Sequence, residues 1–262
     1  MATDRAIRII DRQHCLESLA DRLQSILNDS FAAAGPVGQD VADALPGRWL
    51  GHPLHPALTA IPLGCWTAAA VLDGLEEMSG NRALGHSADA AIGLGIVGVL
   101  GAAITGTTDW RHTDGRARRL GIAHGLLNTG ALALYATSML LRRFQARSAS
   151  RGVAALGYVV ANAAAYLGGY LVFGEQIGVD HPAAQILSDK FVRVLPESEL
   201  PEYQLRRVTA DSMSVLLLRR REEVYAIAET CSHLGGPLAE GKLEDHSVVC
   251  PWHGSRFALD SG

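Results

Sequence analysis

Ala90-Ala91-Ile92-Gly93-Leu94-Gly95-Ile96-Val97-Gly98-Val99-Leu100-Gly101-Ala102-Ala103-Ile104-Thr105-Gly106-Thr107-Thr108 is a run of 19 residues without a single charge. At about 1.5 Å of rise per residue it forms a helix close to the thickness of a bilayer's hydrocarbon core, about 30 Å. Gly93, Gly95, Gly98, Gly101 and Gly106 would each weaken a helix in water by about 1 kcal/mol, yet they let membrane helices approach closely. Three further uncharged runs accompany it: Pro56 to Leu72, Leu120 to Leu141 and Gly152 to Phe173, of 17, 22 and 22 residues. Charges gather only between them, at Asp73 to Asp89, Asp109 to Arg119 and Arg142 to Arg151. This spacing predicts an all-α bundle of four transmembrane helices over residues 51–173. The competing reading is a water-soluble, Ala-rich bundle, in keeping with a mean hydropathy of only +0.13.

Outward from the runs, the chain divides by solvent preference. Between Pro56 and Phe173 only 15 of 118 residues are Asp, Glu, Lys or Arg, against 35 of the other 144. A 48% hydrophobic chain excludes disorder and collagen-like repeats, and a net charge of -4 without a large basic block excludes a nucleic-acid groove. Four cysteines in 262 residues exclude a disulfide-stapled secreted scaffold. Residues 1–50 carry Asp4, Arg5, Arg8, Asp11, Arg12, Glu17, Asp21 and Arg22, so they lack the apolar core of a signal peptide. They read as an amphipathic region whose stripe Leu16, Leu19, Leu23, Ile26 and Leu27 faces a membrane surface or the bundle, broken by Gly35, Pro36 and Gly38. The arginines of residues 111–119 and 142–151 fall on opposite faces of a four-span bundle, so loop charge does not set its orientation.

The carboxyl-terminal part has a different grain. Val215-Leu216-Leu217-Leu218 and Val224-Tyr225-Ala226-Ile227, either side of the charged segment Arg219 to Glu223, predict a hairpin in a small all-β domain. Two loops follow, Cys231-Ser232-His233-Leu234-Gly235-Gly236-Pro237 and Cys250-Pro251-Trp252-His253-Gly254-Ser255-Arg256-Phe257. Each offers one thiolate and one imidazole, which suits either a tetrahedral zinc or a 2Fe-2S cluster with two Cys on one iron and two His on the other. Gly235, Gly236 and Gly254 leave backbone amides free to approach bridging sulfides, and Ser255 adds a hydroxyl.

This segment, Lys190 to Gly262, closely resembles the Rieske iron–sulfur family through its Cys-x-His, sixteen-residue gap and Cys-x-x-His-Gly-Ser. The resemblance implies that Cys231 and Cys250 ligate one iron and His233 and His253 the other. Rieske proteins of the cytochrome bc complexes carry an extra, disulfide-forming cysteine in each loop. Here those positions are Gly236 and Trp252, so the resemblance is to the ferredoxin and oxygenase types, which work in reducing compartments and place the domain in the cytoplasm. Phe257 stands where the bc type has a tyrosine, which implies fewer hydrogen bonds to sulfur and a potential in the low to middle part of roughly -150 to +300 mV. The family continues through further strands, so a sequence stopping at Gly262 reads as incomplete at that end.

Gly51-His52-Pro53-Leu54-His55-Pro56 and the spans after it, to about Phe173, resemble an uncharacterised family of four-helix membrane domains sometimes fused to a Rieske domain. In a four-span topology His52, His55 and His124, with His112 in a loop, lie on the side of the termini, and His86 lies opposite. His55 and His124 on facing helices are a candidate membrane redox site that could hold haem, and Asn128 shares a helix face with His124. The plainer account makes these interfacial histidines, with Asn128 and Asn162 bonding neighbouring helices. Cys15 and Cys65 read as packing residues, and His14, His181 and His246 as surface residues.

The sequence therefore predicts a multi-domain protein: an amphipathic region at 1–50, a four-span domain at 51–173, a linker at 174–189 and an incomplete Rieske domain at 190–262. Its function reads as a membrane-anchored one-electron carrier of the plasma or inner membrane, partnered by the lipid bilayer and by separate electron donor and acceptor proteins. It is an electron-transfer component, not a terminal oxygenase, since no further domain supplies a mononuclear iron site. The alternative is a redox-sensing or structural cluster on a membrane domain with a transport or haem-binding role.

Overall fold

A computed structural model describes residues 2–179, 190–252 and 254–262. The chain divides into two compact units, Met1–Glu175 and Gln176–Gly262. Of the expected linker, residues 180–189, with His181, lie outside the described residues.

The first unit is helical: α1 (Ala2–Asp11), α2 (His14–Ala33), α3 (Gly35–Ala44), α4 (Leu54–Ser79), α5 (Arg82–Trp110), α6 (Gly115–Arg143) and α7 (Arg147–Phe173). Pro53, held at ψ 133°, caps α4, and Pro56 falls in its first turn, where the missing amide costs nothing. The helix stops at Gly80, whose φ of 68° is left-handed, and α5 starts where the Asn81 side chain accepts from the Ala83 amide at 3.0 Å. In the bundle α4 packs beside α5 and α7, and α6 beside α5 and α7, so α4 and α6 face each other across a diagonal.

α4, α5 and α7 are long and apolar enough to cross a membrane. The expected third span, Leu120 to Leu141, is helical throughout within α6, but α6 is not among them. Its run is diluted by His124, Asn128 and Ser138 and it ends in buried Arg142. α5 shows which solvent the bundle expects: Gly95, Gly98 and Ala102 are buried, while Leu94, Val97, Leu100 and Ile104 point outward, Val97 being 66% exposed. Large apolar residues thus line the outer face of α5, while the inner face mixes small residues with Ile92 and Val99; an apolar outer face is what a helix in lipid presents. Of the five glycines in this run, Gly98 lies against Ile61, Gly95 against Trp66 and Gly106 against His55; Gly93 faces open space and Gly101 makes only ordinary contact with Leu58.

The hairpins α4–α5 and α6–α7 are built alike. Pro62, Trp66, Ala69 and Asp73 are buried in α4, and the residues 69 positions later, Ala131, Tyr135, Ser138 and Arg142, are buried in α6. Ala88, Ile92, Gly95, Val99 and Ala102 of α5 recur 62 positions later as Ser150, Ala154, Gly157, Ala161 and Ala164 of α7. Equivalent residues meet across the diagonal. Trp66 stacks on Tyr135 with ring centroids 4.0 Å apart, and Gly95 and Gly157 make room for the two rings. At one end of the bundle Arg142 pairs with Asp73 and, at 2.5 Å, with Asp89. Arg147 joins Asp89 at 2.7 Å and Glu76 at 2.9 Å, and Arg151 reaches Glu76 at 2.7 Å, so Arg142, Arg147 and Arg151 are neutralised within the bundle.

At the opposite end lie α1 and α2, and here the expected stripe divides, with Leu16 and Leu27 half-buried and the rest outward. Leu19, Leu23 and Ile26 are exposed; the inward face of α2 is Glu17, Ala20, Gln24, Leu27 and Phe31. The reason is the arginine-rich start of α6. Arg118 pairs with Asp21 at 2.7 Å and Glu17 at 3.3 Å, and Arg119 with Asp11 at 2.6 Å. Gln24 donates to the carbonyls of Trp110 and Thr113, and the Arg111 guanidinium lies 4.7 Å from the Phe31 ring centre.

The second unit holds two antiparallel three-stranded sheets: β1 (Arg206–Ala210), β2 (Met213–Arg220) and β3 (Glu223–Ala228), then β4 (Lys242–Glu244), β5 (Ser247–Val249) and β6 (Arg256–Ala258). The expected hairpin forms between β2 and β3, with Leu218 opposite Tyr225 and a tighter turn than the charged segment suggested, since Arg219, Arg220 and Glu223 belong to the strands. The unbroken run Val215 to Leu218 is buried on both faces. Leu216 and Leu218 join a core with Cys231, Leu238, Val248, Cys250 and Leu259, while Val215 and Leu217 pack on Leu200.

Candidate metal centre

The first ligand loop leaves β3 and the second joins β5 to β6, and the two are closed by like hydrogen bonds. The Cys231 amide donates to the Gly236 carbonyl at 2.8 Å, and the Gly235 amide to the Cys231 carbonyl at 2.9 Å. Likewise the Cys250 amide donates to Ser255 at 2.8 Å and the Gly254 amide to Cys250 at 3.1 Å. Each turn needs a left-handed residue four positions after its cysteine, and glycine supplies it: φ is 76° at Gly235 and 73° at Gly254. The amides of Gly235 and Gly254 are thus spent closing the loops instead of remaining free for bridging sulfides. Cys231 is capped by others, the amides of His233 and Leu234.

Both thiols are buried in one apolar cluster and lie within hydrogen-bond contact of each other. Burial pushes the Cys231 thiol up from its ordinary value, which a bound cation would reverse. Gly236 is where the loops touch: a Cβ there would sit 2.8 Å from the Cys250 sulfur and 3.2 Å from the Trp252 ring. His233 is half-buried, with its Nδ1 inside the protein, and His253 lies outside the described residues. Two adjacent buried thiols, amides aimed at sulfur and a cleared approach between the loops fit a sulfide-bridged iron pair.

Sequence reasoning missed three supporting residues. Glu229, buried at the start of the first loop, pairs with Arg207 at 2.7 Å. His246 is a surface residue, its side chain 44% exposed, and it bridges two partners: Arg220 donates to its Nδ1 at 2.6 Å, so Nε2 carries the proton and donates to Asp260 at 3.0 Å. Phe257, noted only for the tyrosine it replaces, pairs with Val248 in β6 and packs on the cysteine-bearing core. No local sequence signal marks the partners of Glu229 or His246, which lie 14 to 26 residues away along the chain.

In the helical unit the structure brings His55 and His124 together, with ring centroids 6.3 Å apart and planes at 89°. Asn128 bonds His124, as its place one turn away suggested, and Asn162 bonds only the carbonyl of Tyr158 in its own helix. His52 and His86 are exposed and take no part, and Cys15 and Cys65 are free thiols, exposed and half-buried respectively.

Comparison with known proteins matches residues 190–262 to the Rieske [2Fe-2S] domain and residues 51–181 to the family described as predicted membrane protein (DUF2231). Human apoptosis-inducing factor 3 is 32% identical over 34% of this chain, which spans only 14% of that protein. The ferredoxin component of the naphthalene 1,2-dioxygenase system of Pseudomonas aeruginosa is 28% identical over 29% of this chain and 73% of its own length. The ferredoxin subunit of the 3-phenylpropionate/cinnamic acid dioxygenase of Escherichia coli K12 is 35% identical over 26% of this chain and 63% of its own. With a matched domain, a cysteine pair that fits it and ferredoxins among its relatives, the β unit is an iron–sulfur electron carrier, and its cofactor is a 2Fe-2S cluster, not zinc. The chain belongs to the DUF2231 family of predicted membrane proteins, joined to a Rieske [2Fe-2S] domain.

Proposed function

We propose that the protein is a membrane-anchored one-electron carrier in which Cys231 and Cys250 hold one iron and His233 and His253 the other. The observation that carries the assignment is the pair of loops closed by like hydrogen bonds, which bury two thiols side by side in one apolar cluster. When bound, a 2Fe-2S cluster takes up and releases a single electron. The His233 and Leu234 amides stabilise negative charge on the Cys231 sulfur, Gly236 keeps the space beside the Cys250 sulfur clear, and the surrounding leucines exclude water.

α4, α5 and α7, long and apolar enough to span, make the anchor together with α6, and the lipid bilayer is its first partner. The donor and acceptor are separate proteins, as the names of the ferredoxin components and subunits imply for those relatives. Gly236 and Trp252, where a bracing disulfide would require cysteines, support a cluster that faces the reducing cytoplasm. The role is electron delivery, with terminal oxygenation left to a partner.

The test is iron and acid-labile sulfide on the detergent-purified chain, with oxidised and reduced visible and electron paramagnetic resonance spectra. About two of each per chain, with a reducible signal, is the expected result; zinc without sulfide would overturn the assignment. Release of the protein from membranes by alkaline carbonate would overturn the anchoring.

A further inference from the structure

The geometry points to a second redox site inside the helical unit: His55 of α4 and His124 of α6 are the two axial ligands of a haem iron. The two histidines stand 69 positions apart, the same offset that relates Trp66 to Tyr135 and Asp73 to Arg142, so they occupy equivalent places on the two hairpins. Among these pairs facing each other across the diagonal, the histidines alone are identical.

Their supports are equivalent too. His55 donates from Nδ1 to the Ala102 carbonyl of α5 at 2.8 Å, and His124 donates from Nδ1 to the Ala164 carbonyl of α7, also at 2.8 Å. A carbonyl can only accept, so Nδ1 carries a proton in both rings, and in the neutral form this leaves the lone pair on Nε2, the nitrogen that would bind a metal. Asn128 donates to the Nε2 of His124 at 3.1 Å, which agrees with that tautomer. A backbone acceptor on the far ring nitrogen is also what fixes the orientation of a metal-bound imidazole. One turn beyond each carbonyl comes a glycine, Gly106 against His55 and Gly168 against His124, where a Cβ would press on the ring at 2.6 Å and 2.9 Å.

Ligand number selects the class of metal. Among the described residues no group of three or more His, Cys, Asp or Glu could hold a bare ion. Zinc or copper held by protein alone wants three or four ligands, whereas a porphyrin supplies four nitrogens to its iron and asks the protein for two. A metal–nitrogen bond of about 2.0–2.1 Å, plus about 1.1 Å from nitrogen to ring centre, places trans imidazole centroids about 6.3 Å apart. The observed separation is 6.3 Å.

The test is hemin titration of the detergent-purified full chain, read in the Soret region and by electron paramagnetic resonance, for the wild type and for H55A, H124A, H52A and H86A. One hemin per chain with a low-spin, six-coordinate spectrum is expected, weakened by about tenfold or more in H55A and in H124A and unchanged in H52A and H86A. H124M guards against mere misfolding, because a monodisperse variant that keeps hemin with a thioether–imidazole spectrum shows that position 124 touches iron. Equal hemin binding by the H55A/H124A double variant, a high-spin wild-type spectrum, or binding of zinc alone with hemin excluded would overturn the assignment. None of these readouts depends on the iron–sulfur cluster.

Discussion

The two units of this protein are both made by setting one small structure against a near copy of itself, and they differ in what the copies have kept. The cluster loops share a buried cysteine, a left-handed glycine four residues after it and the same pair of closing hydrogen bonds. The helical hairpins share burial but have let their residues diverge, into Trp66 against Tyr135 and Asp73 against Arg142. Divergence turned like into complementary, a stacked pair and a salt bridge, wherever packing was the only demand. The loops had no such freedom, because each must present the same donors to one inorganic centre.

Breaking the loop copies should have the largest effect. C231S or C250S is expected to remove the cluster altogether, seen as loss of labile sulfide and of the visible spectrum, while the helical unit keeps its circular dichroism. In the bundle, R142A takes from Asp73 its shortest partner and leaves it the longer contacts to Arg147 at 3.6 Å and Arg151 at 4.0 Å, so it should destabilise by less than the ~3–5 kcal/mol of a fully unpaired buried charge, measured by thermal unfolding in detergent. The reversed pair D73R/R142D should recover part of that loss if the hairpins are equivalent; a double variant as weak as R142A would show that they are not. G236A places a Cβ 2.8 Å from the Cys250 sulfur, and about 1–3 kcal/mol of overpacking should appear as slower cluster loading with unchanged bundle stability. The smallest effect belongs to H246A, which loses half-exposed bonds to Arg220 and Asp260 worth about 1 kcal/mol or less, and should leave cluster content intact.

How far the fold could be read from sequence depends on what each signal measures. The runs of residues 56–72, 90–108 and 152–173 were legible because the absence of charge over that length has few explanations. Facing was harder. α2 has a leucine stripe, but the arginines of α6 draw its Glu17 and Gln24 side inward, and no periodicity within α2 reports a charge more than ninety residues away. Likewise α6 was read by its lack of charge and not by its polar His124, Asn128 and Ser138. In the cluster domain the cysteines and histidines stood out by spacing. Which amides approach sulfur did not, since Gly235 and Gly254 look free in sequence and are committed to their turns in the fold.

The offset between equivalent helices also bears on how such a chain arises. Hairpins α4–α5 and α6–α7 start at the same end of the bundle and meet as two partners would, so the four helices describe a dimer whose subunits have been fused. The connection from Arg111 to Asp114 then has only to span a gap, and no buried pair described between the hairpins depends on its being continuous. A chain nicked there should reassemble from its two halves, with Asp73 and Arg142 again paired across them.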